Sequence, residues 1–113
     1  MSTYHMSFDN LIIDGFNWDE GNREKCQKHG VSIPEIESLF KDNLLTVLFD
    51  KKHSDTEERL IAVGKAQGER SILVVFAMRK KNRKQIIRPI SARYMHRKEI
   101  TYYEKETTDT EKR

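Results

Sequence analysis

Seven consecutive apolar residues, Ile72-Leu-Val-Val-Phe-Ala-Met78, constrain the fold of this chain more than any other feature. A run rich in branched side chains and without alternation predicts a central strand covered on both faces, although a short buried helix gives the same signal. Further short apolar runs at residues 44–49, 58–65 and 85–91 flank it, and polar turns at 50–57, 66–70 and 79–84 separate them. Together with 71–78 these are four strands, and connections this short favour an antiparallel meander. Pro89 cannot donate to a ladder, which puts the fourth strand at an edge or a bulge near that residue.

Helix signals precede the strands. Asn17 and Glu20 stand at capping-box spacing, which predicts a helix from about Trp18 to Lys28 or His29, with Gly30 closing its end. Ser32 and Glu35 repeat the spacing, Pro34 is tolerable in a first turn, and Val31 can staple to Ile36; the second helix reaches about Lys41. A last helix is expected over residues 94–105, with His96, Ile100 and Tyr103 on its docking face. Residues 8–16 add a short strand with Gly15 as a turn. The architecture is α+β: two N-terminal helices, a four-stranded antiparallel sheet and a C-terminal helix. One domain is expected over residues 1–104, and residues 105–113, charged and without an apolar side chain, are expected to be a disordered tail.

The charge is unevenly distributed. Between Arg79 and Lys98 stand nine Lys and Arg and no acidic residue, in a chain whose net charge is +3, so the remainder carries 3 − 9 = −6. Such asymmetry points to a polyanionic partner. The one cysteine, Cys26, excludes an internal disulfide and is expected to pack in the first helix. No apolar run is long enough to span a bilayer and the N-terminus lacks a signal core, so a cytoplasmic protein without membrane contact is expected.

Arg88 and Arg93 bracket Ser91 where the fourth strand runs into the last helix, a geometry suited to gripping a phosphate. Arg88 shares a strand face with Ile86 and Ile90, which would shield it in part; Ser91 is either an N-cap or a phosphate donor. Lys28 and His29 set a cation and a titratable imidazole at a helix end, suited to proton transfer or merely to helix-end electrostatics. His53 lies in the first hairpin loop as a possible second acid or base. Arg79, Lys80, Lys81, Arg83 and Lys84 crowd a hairpin tip that can neutralise several phosphates, and Arg97 adds another cation. Tyr94, Tyr102 and Tyr103 can stack on bases or simply pack. Neither the four histidines nor Gly64 and Gly68 show zinc-site or P-loop spacing, so no cofactor or metal is expected.

These residues, in this order, resemble the BrnT family of type II toxin-antitoxin toxins over about residues 16–104. The matching blocks are Phe16-x-Trp18-Asp19, Lys28-His29-Gly30-Val31, His53-Ser54 with Glu58-Arg59, Gly64, Leu73-Val74-Val75, Arg88-x-Ile90-Ser91-Ala92-Arg93, and Arg97-x-Glu99 with Tyr103-Glu104. Pro89 departs from the branched apolar residue usual there, and His96 from a small hydroxyl residue. The resemblance implies a RelE-like fold and a ribonuclease that arrests translation. It also implies a ribbon-helix-helix antitoxin that neutralises the toxin, as a heterotetramer, and carries it to operator DNA. Metal-independent cleavage is then expected, with Arg88, Arg93 and Arg79 on phosphoryl oxygens and His29 or Lys28 assisting proton transfer. The alternative is a basic module that binds DNA, RNA or an acidic protein without cutting.

Overall fold

The computed structural model describes residues 3–4, 13–41, 45–50, 58–68 and 70–102. Two short strands, β1 (Thr3–Tyr4) and β2 (Gly15–Phe16), precede two helices, α1 (Glu20–Gln27) and α2 (Ile33–Lys41). Four longer strands follow: β3 (Leu45–Phe49), β4 (Leu60–Lys65), β5 (Ser71–Lys81) and β6 (Lys84–Tyr94). A third helix, α3, covers residues 97–102. The strands make one sheet in the order β1-β3-β4-β5-β6-β2, antiparallel except where β2 runs parallel to β6.

The α+β class and the central meander agree with the sequence, but the four-stranded antiparallel sheet is corrected to a six-stranded mixed one. β1 and β2 each contribute two residues, too few to leave a periodic signal. Gly15 is part of β2 and not a turn. β5 is the covered strand that its apolar run predicts, with Ile72, Val74 and Phe76 buried on one face and Leu73 and Ala77 on the other.

Both helices lie on one face of the sheet. Val47, Ala62, Val74 and Ala92 are successive cross-strand partners and share a buried cluster with Cys26, Ile36, Leu39 and Phe40. Phe40 lies at the centre, its ring edge-on to Phe16 and Phe76 at centroid distances of 5.9 and 4.9 Å. α2 begins as its sequence dictates: Ser32 and Glu35 exchange the reciprocal bonds of a capping box, and Val31 and Ile36 are both buried in the cluster.

α1 begins later than expected. Asp19, not Asn17, is its N-cap, with Oδ1 accepting from the Asn22 amide at 2.9 Å while Asn22 Oδ1 accepts from the Asp19 amide at 2.7 Å. Asn17 is still engaged with the sheet, its N–H donating to the Ile87 carbonyl at 2.8 Å. The end of α1 is closed by Gly30 at φ +92°.

β5 and β6 also outrun their expected ends. The polar turn expected at 79–84 shrinks to Asn82 and Arg83, both at positive φ, because Lys81 pairs with Lys84 and Arg79 with Ile86. At its other end β6 continues to Tyr94, which pairs with Ile72, so the last helix starts at 97 and not 94. His96 precedes that helix, its N–H donating to Glu99 Oε1 at 3.0 Å, and is therefore not on a docking face. The segment expected as a disordered tail, Tyr103 and His53 lie outside the described residues. β6 is not an edge strand, since β2 borders it, but the anticipated bulge is present. Val75 pairs with Ser91 and Phe76 with Pro89, leaving Ile90 as the additional residue. None of the described helices is long and apolar enough to cross a membrane.

Candidate functional site

Strand pairing determines which charged side chains meet. Leu73 and Ala77, four apart on β5, point to the same face, and their partners are Arg93 and Arg88. These arginines are five apart, an odd spacing that puts residues of a regular strand on opposite faces; the bulge at Ile90 restores them to one. Ser91, opposite Val75, joins them, and it is a strand residue, not an N-cap. Arg79, opposite Ile86, is the diagonal neighbour of Arg88 on this same face, and Lys81 and Lys84 continue it to the hairpin tip. The result is a cationic strip on the sheet face opposite α1 and α2.

Each central arginine has an acidic partner. Arg88, with 23% of its side chain exposed, donates from Nη1 to Asn17 Oδ1 at 2.6 Å and from Nη2 to Asp19 Oδ2 at 2.8 Å. Of five guanidinium N–H groups these contacts use two. Hydrogen bonding from the Asn22 amide and then from Arg88 holds the Asp19 carboxyl below its ordinary range, so it stays charged. Arg93 is held differently. Both its Nη atoms meet the two oxygens of Glu99 at 2.7 Å, a fork-to-fork pair that fastens α3 to β6. Arg93, then the His96 amide, bring the Glu99 carboxyl down to about 2.

Asn22 is the buried polar centre of this region, only 5% exposed. Its Nδ2 donates to the Asn17 carbonyl and to the Pro89 carbonyl, both at 2.8 Å, so α1 is fastened to β6 beside Arg88. The partners Asn17, Asp19, Asn22 and Glu99 were not assigned these roles from the sequence. Asp19-x-x-Asn22 has the spacing of a capping box, and Glu99 stands three after the residue that precedes α3; both signals were available.

Lys28 and His29 do not join the strip. They are exposed just beyond the end of α1 remote from Asp19, and the eight residues between rise about 12 Å. Near them Tyr94, on the helix-bearing face, bonds its hydroxyl to Glu35 at 2.9 Å and carries the Arg70 guanidinium 3.5 Å from its ring centroid. That environment argues for packing and not base stacking at Tyr94. Burial acts to raise the Glu35 pKa, but bonds from Ser32 and Tyr94 outweigh it, and the net shift is downward. Lys80, Arg83 and Arg97 are exposed; by strand alternation Lys80 lies on the other face from Arg79. Burial pushes the Cys26 thiol up to about 11, so at neutral pH it is protonated core and not a nucleophile. Among the described residues no group of three or more His, Cys, Asp and Glu is placed to hold a metal ion.

No curated protein gives a significant match to the chain. The model of the family described as "Ribonuclease toxin, BrnT, of type II toxin-antitoxin system" matches residues 18–99. That span begins beside Asp19, takes in both helices and β3 to β6, and ends at Glu99, the partner of Arg93. The chain belongs to the BrnT family of ribonuclease toxins of type II toxin-antitoxin systems.

Proposed function

We propose that the cationic strip on β5 and β6 is the RNA-cleaving site of this toxin and that it works without a metal. The 2′-hydroxyl attacks the adjacent phosphorus, the bond to the 5′-oxygen breaks, and the proton lost by the nucleophile is balanced by one gained by the leaving oxygen. The products are a 2′,3′-cyclic phosphate and a 5′-hydroxyl end. Arg88 holds the phosphoryl oxygens and stabilises the charge gathering on them. Arg79 and the tip residues Lys81 and Lys84 neutralise flanking phosphates, with Lys80 and Arg83 beside them. Ser91 donates a hydrogen bond within the strip, and Arg93 joins once a phosphate displaces Glu99. Lys28 and His29 stand about a helix length from Arg88, so fixed positive charge, more than proton transfer, carries the rate.

The observation that carries this reading is the convergence of Arg88, Ser91 and Arg93 on one face through the bulge at Ile90. A ribbon-helix-helix antitoxin neutralising the strip, in a heterotetramer that binds its own operator, is part of the same proposal. The experiment is incubation of antitoxin-free protein with a defined RNA in EDTA, beside Arg88→Ala. Cyclic-phosphate ends made by wild type alone are expected; a folded Arg88→Ala protein that cuts equally well ends the assignment. A second reading, binding without cleavage, draws on the occupation of the Arg93 fork by Glu99. It predicts salt-sensitive RNA retention with no new ends.

A further inference from the structure

We propose that Asp19, seconded by Asn17, is the positioning residue that aims the Arg88 guanidinium at the scissile phosphate. This rests on the catalytic reading of Arg88 given above. The segment from Asn17 to Asn22 grips Arg88 and the residues on both sides of it. The Asn17 amide bonds to the carbonyl of Ile87, the residue before, and Asn22 Nδ2 bonds to the carbonyl of Pro89, the residue after. Between these anchors Asn17 Oδ1 and Asp19 Oδ2 take the two Nη atoms. Asp19 is itself fixed, since Oδ1 caps α1 through the Asn22 amide while the Asn22 side chain holds the Asp19 amide.

The contacts therefore close a ring: Arg88 to Asp19, Asp19 to Asn22, Asn22 to Pro89, and Pro89 back to Arg88 through one peptide bond. A long arginine side chain on an open sheet face ordinarily samples many rotamers. Here each Nη is held by one bond, and Nε–H and the second hydrogens of both Nη atoms make no bond among the described residues. Asp19 gives one oxygen to one Nη of Arg88, whereas Glu99 meets both Nη atoms of Arg93 with both of its oxygens.

Asp19→Asn tests this directly, because asparagine caps a helix as well as aspartate and α1 keeps its start. Cleavage of a defined single-stranded RNA by the full-length, antitoxin-free chain is measured for wild type, Asp19→Asn, Asn17→Ala and Arg88→Ala, with thermal melts of each. We expect Asp19→Asn to melt within a few degrees of wild type and to lose about tenfold in kcat with KM within about twofold, as misaiming a transition-state contact does. Asn17→Ala, which leaves the capping box intact, should lose about threefold in the same parameter. Wild-type kcat in both variants, beside an inactive Arg88→Ala, overturns the positioning role and leaves the catalytic reading standing. Higher activity in Asp19→Asn overturns it too, by making Asp19 a competitor of RNA. Full activity in Arg88→Ala, or no cleavage by wild type, removes the catalytic reading and this proposal with it.

Discussion

Glu99 accepts from Arg93 Nη1 and Nη2 and from the His96 amide, and its pKa falls from 4.5 to about 2. Because the folded value lies below the unfolded one, the stabilisation is complete above about pH 4.5 and drains away as pH falls toward 2. Arg93 and Glu99 are 40% and 28% exposed, which limits the pair to about 0.5–1 kcal/mol. Glu99→Gln should lose that amount at pH 7, with the difference from wild type shrinking as pH falls below about 4.5 and through about 2, as followed by urea unfolding across a pH series. At the hairpin tip, Arg83 sits at φ 67° without the freedom of glycine. Arg83→Gly should gain about 1 kcal/mol in the same assay. The cationic residues of this site were legible individually, since charge and spacing are properties of a sequence. Their carboxylate partners were not. Arg88 and Asp19 are far apart in the chain, and nothing local says that one will land on the other.

α1 is short, and the Asn22 side chain bonds it to Asn17, Asp19 and Pro89 while Cys26 packs into the core. Asn22→Ala leaves the Asn17 and Pro89 carbonyls and the Asp19 amide short of partners and should cost about 2 kcal/mol by chemical denaturation. It should also loosen Arg88, so activity should fall further than stability alone explains. Element existence was largely readable because capping pairs and apolar runs are local. The second capping box and the covered strand stand where their residues predict. Element ends were not readable. Residues 79–81 resemble a loop by hydropathy, yet they extend β5 because β6 pairs with them, and Ser91 to Tyr94 resemble a helix start until β5 claims them. The parallel pairing of β2 with β6 leaves no trace in a two-residue segment.

Seen whole, the molecule divides its labour between two faces of one sheet. One face, closed by Phe16, Phe40 and Phe76, carries α1 and α2; Phe40→Ala should cost about 3–5 kcal/mol by denaturation. The other carries the cationic strip. Single-stranded RNA contributes about 0.7 per neutralised phosphate to the salt slope, so replacing Lys81 and Lys84 by glutamine should flatten the log–log slope of binding by about 1.4. The residue count of β6 has an unexpected bearing on how such a chain can change. Ile90 is surplus to the pairing. Removing one residue at 89–91 together with the bulge would leave Arg88 and Arg93 four apart and still on one face, whereas straightening β6 at its present length would put them on opposite sides of the sheet. The surplus residue and the bulge are therefore coupled, and an alignment of related chains should show the two arginines either five apart with a bulge between them or four apart without one.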